Sequence, residues 1–160
     1  MSYDDDIQAI RKIVSGARIA LLTTVTATGE LHSRPLATQE VEFDGDLWFF
    51  TEDPSSKVDD IHSDQQVNAA FQSGSDYLSV AGTAEIVHDR QKIDELWNRY
   101  AEAWFENGKD DPQVALIKVH ATTAEIWSSD QPRAVQLLKV AKGVVTGSRP
   151  DLGESRTVEL

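Results

Sequence analysis

Residues Arg18–Thr51 read RIALLTTVTATGELHSRPLATQEVEFDGDLWFFT, and this stretch decides the fold. Arg18–Thr26 is rich in β-branched and apolar residues, which predicts a strand. Ala27-Thr28-Gly29-Glu30 predicts a hairpin turn in which Gly29 supplies the positive φ. Leu31–Phe43 then predicts a long return strand. Asp44-Gly45-Asp46, a strong hairpin signal, leads into a third strand, Leu47–Thr51. Three strands linked by tight turns point to an antiparallel sheet.

The flanking segments extend this pattern. Ile7, Ile10, Ile13 and Val14 recur at helical spacing, so Asp5–Ser15 predicts an amphipathic helix capped by the early aspartates. Ser55 or Ser56 can cap a short helix through about Ser63. Val67–Gln72 and Tyr77–Val87 predict two strands across a Ser73–Asp76 turn, and Val114–Trp127 a long final strand. Between them, Ile93, Leu96, Trp97, Tyr100 and Trp104 line one face of a helix expected over Asp89–Phe105. A last helix is expected over Pro132–Val145. Six strands joined mainly by hairpins, with peripheral helices, favour an antiparallel β-barrel over a βαβ architecture.

At 160 residues the chain fits one domain, expected over 1–145, with 146–160 as a loosely held polar tail. A net charge of −12 excludes a basic face for nucleic acid and disfavours docking on an anionic membrane. The chain has no cysteine, so it carries no thiolate nucleophile and no thiolate metal site. The acidic start MSYDDDIQAI does not resemble a signal peptide, and a cytoplasmic protein is the expectation. His32, His62, His88 and His120 are scattered singly, so no metal site is expected. No dinucleotide fingerprint, P-loop or nucleophile elbow occurs. No catalytic residue can be named.

Two segments carry chemistry. In HSRPLATQ (His32–Gln39), Pro35 cannot donate to a ladder, which marks an edge or a ligand-facing strand beside Arg34. In WFFTEDPSSK (Trp48–Lys57), Thr51, Ser56 and Lys57 gather two hydroxyls and a cation at a helix start, where anions are favoured. A phosphate attached to a flat ring would satisfy both segments, and as consecutive strands they can be neighbours in one sheet. The residue types leave alternatives open. Lys57 could pair with Asp53 or Asp60, Arg34 could be a salt-bridged surface residue, and Trp97 and Trp104 could serve the core or a subunit interface.

The ordered set HSRPLATQ, LWFFT, SSKVDDI, VNAAFQ, YLSVAGTAEIV and KVAKGVVTGSRPDLGE resembles the pyridoxamine 5′-phosphate oxidase-like flavin-binding split barrels, in their general stress protein branch. The resemblance covers nearly the whole chain. It implies a six-stranded antiparallel split β-barrel that forms a homodimer, with two FMN sites at the subunit interface and FAD left open. It places Arg34 on the flavin-binding face and the backbone of Pro35, Leu36 and Ala37 at the polar edge of the ring. Gln39 takes a family position close to the cofactor, Phe50 and Thr51 lie beside the ribityl-phosphate, and Ser56 and Lys57 hold the phosphate. Trp127 is brought by the second subunit to the dimethylbenzene end.

The resemblance implies a flavin-dependent oxidoreductase acting on a small molecule. The end of the chain, SRPDLGESRTVEL, departs from the substrate-gripping segment of true pyridoxamine phosphate oxidases. That departure argues against oxidation of a vitamin B6 phosphate. It also leaves a non-catalytic flavin carrier or sensor as the alternative.

Overall fold

A computed structural model describes residues 2–129 and 133–160. The chain runs α1 (Tyr3–Gly16), β1 (Ile19–Val25), β2 (Leu31–Ala37), β3 (Asp46–Glu52), α2 (Ser56–Ser63), β4 (Gln66–Ser73) and β5 (Asp76–Val87). It continues through α3 (Arg90–Leu96), α4 (Arg99–Trp104), β6 (Val114–Ser128), α5 (Arg133–Thr146) and β7 (Glu154–Glu159). The strands form one antiparallel sheet in the order β2-β1-β4-β5-β6-β3, with β7 added to β6. With its peripheral helices, this is the expected mainly-β, six-stranded split-barrel path.

Alternation explains the curvature and the core. In β1, Ala20, Leu22 and Thr24 point inward, while Ile19 and Leu21 point out. In β3, Leu47 and Phe49 enter the barrel interior with Leu78, Val80, Ile117 and Ile126. The long β6 carries β5 along one edge and β3 and then β7 along the other, and it bends at a bulge opposite Ala81/Gly82. Gly82 is required there, since a Cβ would lie 2.2 Å from the His120 carbonyl oxygen. A second apolar cluster sits outside the barrel, where Ile93, Leu96 and Phe105 cover Val114, Leu116 and the outward Phe50.

The structure corrects five expectations. First, α1 is capped by the Ser2 hydroxyl, and Asp5 closes the capping box rather than acting as the cap. Second, β2 stops at Ala37. Thr38 turns the chain by donating its hydroxyl to Ala17 O at 2.7 Å, and Arg11 holds Phe43 O at 2.9 Å, so 38–45 is irregular. Third, Asp44-Gly45-Asp46 therefore closes no hairpin. β3 pairs with β6, and β2 and β3 lie at opposite ends of the strand path instead of side by side.

The fourth correction concerns the expected helix over Asp89–Phe105, which breaks at Trp97-Asn98 into α3 and α4. Asn98 leaves the helix to cap α4, accepting from Tyr100 N and Ala101 N at 2.9 and 3.0 Å. The break turns Trp97 onto Phe50 and Phe105, with ring centroids 5.6 and 6.0 Å away. Fifth, the tail expected to be loose holds strand β7, in which Val158 is buried and Arg156 pairs with Asp6. Pro132, the expected start of the last helix, lies outside the described residues.

Candidate functional site

Because β2 and β3 end the strand path, the barrel is open between them. A cavity of about 600 Å³ occupies the gap. Arg34–Gln39 form one wall, Phe50–Glu52 and Lys57 another, and α4 with Phe105 covers the third side. The two chemistry-bearing segments thus meet across a cavity and not along a ladder. Of the expected residues, Arg34, Pro35, Leu36, Ala37, Gln39, Phe50, Thr51 and Lys57 line it. Ser56 and Trp127 do not.

The register fixes what the β2 backbone offers. Thr38 N donates to Arg18 O at 3.1 Å, which sets Thr38/Arg18, and two residues on Leu36/Ala20, as the hydrogen-bonded pairs. Leu36 therefore spends its N–H and C=O on β1. Pro35 and Ala37, in the non-bonded pairs, turn their backbone groups to the open edge. That edge offers the Pro35 carbonyl plus the N–H and C=O of Ala37. Gln39 Nε2 already donates to Ala37 O at 3.3 Å.

At the other end, Ser55 caps α2 through Val58 N and Ser56 is the first, exposed helical residue. Lys57 follows, half-buried. Both acids that could have paired with it are engaged elsewhere. Asp53 Oδ2 meets His88 Nε2 at 2.7 Å, and Asp60 Oδ2 faces Arg34 Nη2 at 3.5 Å. Among the described residues no carboxylate comes within 4.0 Å of Lys57 Nζ and nothing accepts its hydrogen bond. Burial pushes its pKa below the usual 10.5, the Arg34 charge adds to that, and Glu52 opposes it. An unpaired, partly desolvated cation beside the start of a helix is built to meet an anion.

Arg34 is placed differently from Lys57. Its Nη1 donates to the buried Thr24 hydroxyl at 2.7 Å and to His32 O at 3.2 Å. Thr24 in turn donates to Asp60 Oδ2 at 2.7 Å. Arg34 is thus the salt-bridged strand residue of the alternative reading, and it still borders the cavity. Sequence reasoning missed Thr24, Asp60 and Asn98. Asn98 Nδ2 donates to Gln39 Oε1 at 2.8 Å and ties the break between α3 and α4 to the end of β2. The polar cap residue inside a helical stripe was its signal.

Trp104 stands exposed and lines the cavity, while Trp97 packs on Phe50 and Phe105. Trp127 lies on the far stretch of β6, opposite Tyr77 and Ser155. No described group of three or more His, Asp or Glu could hold a metal ion.

The site can be set against known proteins. The sequence profile described as pyridoxamine 5′-phosphate oxidase like matches residues 5–151. Protein bli-3 of Neurospora crassa is 32% identical over 97% of this chain and 80% of its own length. A crystal structure from Jannaschia sp. CCS1, provisionally designated general stress protein 26, superposes with a TM-score of 0.75 at 26% identity, covering 98% of this chain and 99% of that one. A general stress FMN/FAD binding protein from Xanthomonas citri superposes with a TM-score of 0.70 at 29% identity, covering 80% and 92%. With a profile match over most of its length and a split barrel shared with general stress proteins, the chain belongs to the pyridoxamine 5′-phosphate oxidase-like family.

Proposed function

We propose that this chain binds FMN in the cavity between β2 and β3 and serves as a flavin-dependent oxidoreductase of the general stress protein type. The observation that carries the reading is Lys57, a half-buried cation at the start of α2 with no partner among the described residues, facing a cavity whose opposite wall is a strand edge that leaves the Ala37 N–H and the Pro35 carbonyl outside the sheet ladder. The fit is to a phosphate at one end and a hydrogen-bonding ring at the other. Lys57 would hold the phosphate. Ala37 and Pro35 would meet the ring edge, and Phe50 would border the ribityl chain. The Xanthomonas citri relative is described as FMN/FAD binding, which supports the ligand class. A bound flavin supplies electron transfer, and the protein supplies position and charge.

The outer sheet face supports a homodimer. Ile19, Leu21, Leu31, Pro35, Ala70 and Tyr77 lie on it, exposed or half-exposed, in a chain of net charge −12. Apolar side chains on an open sheet face, here interrupted by the Thr23–Ser33 and Asn68–Ser79 pairs, suit an interaction surface. The cavity sits at one end of this face and Trp127, beside Tyr77, at the other. An isologous two-fold contact would therefore carry Trp127 of each copy to the cavity of the other. We read the chain as cytoplasmic; no helix among the described residues is long and apolar enough to cross a membrane.

One observation favours the non-catalytic carrier or sensor as a second reading. Among the described residues no histidine lines the cavity, and the one carboxylate that does, Glu52, adjoins Thr51 on the Lys57 side. The deciding experiment has two parts. Flavin fluorescence titration should rank FMN at least tenfold above riboflavin, and Lys57→Ala should erase that ranking; equal affinities in the wild type would remove the phosphate site. Anaerobic mixing of the FMN-loaded protein with NADH or NADPH then separates the readings. Bleaching of the flavin supports the oxidoreductase, and an unreduced flavin supports the carrier.

A further inference from the structure

Helix α4 lays two unpartnered aromatic rings along the cavity. Tyr100 and Trp104, spaced i and i+4, share one helical face, are 72% and 77% exposed, and both line the cavity. Ala101 and Phe105, each one position further on, are buried in the cluster with Val114 and Leu116 and anchor the helix from the adjacent side. Asn98 caps α4 and donates to Gln39 Oε1 at 2.8 Å, which ties the helix start to the end of β2. Among the described residues neither the Tyr100 hydroxyl nor the Trp104 indole N–H makes a hydrogen bond, and neither ring pairs with another ring or a cation.

The three walls of the cavity therefore differ in chemistry. Lys57 offers charge, the open edge of β2 offers backbone hydrogen bonds, and α4 offers flat aromatic faces. A planar ring gains from dispersion and quadrupole contact with such faces, whereas a small anion or a polyol chain gains little. A helix anchored on one side and tied at its start holds those faces in place.

We propose that Tyr100 and Trp104 are the stacking wall of the site and hold the face of the flavin ring. The inference rests on the flavin reading above and gives the ring its own residues, as Lys57 serves the phosphate. The two ends of the ligand are then recognised independently, and the aromatic pair sets the affinity for any flavin, phosphorylated or not.

The test compares the full chain with its Tyr100→Leu/Trp104→Leu variant. Both side chains are exposed and leucine suits a helix, so the fold is kept, which far-UV circular dichroism checks. The probes are FMN and lumiflavin, which has the ring and neither ribityl chain nor phosphate. Equilibrium dialysis reads binding, and emission per bound flavin reads stacking. An indole or phenol stacked on an excited flavin passes it an electron and takes it back, so the light is lost. The expected result is dim bound FMN in the wild type, bright bound FMN in the variant, and affinities for both probes lowered about three- to tenfold. Lys57→Ala should weaken FMN and leave lumiflavin unchanged. Bound FMN equally bright in wild type and variant would overturn the stacking wall, and so would emission recovered by Trp127→Leu alone. A wild type that binds no FMN would remove the flavin reading as well.

Discussion

Asp60 on α2 holds Arg34 on β2, with Oδ2 3.5 Å from Nη2 and the Thr24 hydroxyl within 2.7 Å of both partners. This clasp joins the helix that carries Lys57 to the strand whose edge faces the cavity. It also divides the labour between the two cations of the site. Arg34 has its partners inside the protein, and Lys57 has none among the described residues.

That division predicts different phenotypes. Lys57→Ala should weaken FMN binding by tenfold or more, since a charged hydrogen bond is worth about 1.5–3 kcal/mol, and should leave the fold as stable as before. Arg34→Ala leaves a largely buried carboxylate without its cation, held only by the Thr24 hydroxyl, and should cost about 1–3 kcal/mol in urea unfolding. The double variant should show both losses, read by fluorescence titration and by denaturation.

A pH dependence follows from the depressed pKa of Lys57. In the folded protein the charged form is disfavoured by burial, so protonation is harder than in the unfolded chain. Wild-type stability should therefore gain a contribution as pH rises through the folded pKa toward 10.5, and lack it below. Lys57→Met should raise the stability of the flavin-free protein at neutral pH by a small amount, because the group is half-exposed. The gain should vanish above about pH 10.5. FMN affinity in the wild type should run the other way, falling as Lys57 loses its proton. Parallel unfolding curves of the two proteins across pH check the first sign, and FMN titrations check the second.

Asn98 should matter twice. Asn98→Ala removes the α4 cap and the contact to Gln39, and should cost about 1–2 kcal/mol. Asn98→Ser keeps a capping hydroxyl and loses the reach to Gln39 Oε1. It should recover most of the stability while flavin affinity stays reduced. Urea unfolding and flavin titration of the two variants separate the roles.

Strand β7 is integral to the sheet. Val158→Asp places a carboxylate at a buried position and should destabilise the protein by about 2 kcal/mol or more. Glu159→Gln, exposed on the same strand, should change stability by less than about 0.5 kcal/mol. Thermal denaturation of both is the measurement.

The β1–β2 and β4–β5 hairpins, the start of α2 and the two segments that line the cavity were legible because each rests on a local signal: Gly29 in a turn, a serine at a cap, Pro35 on an edge. The partnerships were not. Nothing near Asp44-Gly45-Asp46 says that Asp46–Glu52 pairs with a strand some seventy residues later; long-range pairing along β6 overrode a good turn. The break at Asn98 was hidden by an apolar stripe that runs unbroken on paper, and only the pull of Trp97 toward Phe50 shows why it opens. β7 was hidden because six residues with a single fully buried apolar side chain give almost no alternation. The Thr24–Asp60–Arg34 clasp joins three elements, and no spacing along the chain encodes it.

The central claim is that the cavity holds one FMN per chain through Lys57. The direct measurement is the visible absorbance spectrum of the purified protein after saturation with FMN and desalting, for the wild type and for Lys57→Ala. The account predicts a retained flavin spectrum near one FMN per wild-type chain and a largely colourless variant. A wild-type protein that emerges colourless, or a variant that keeps its flavin equally well, would contradict it.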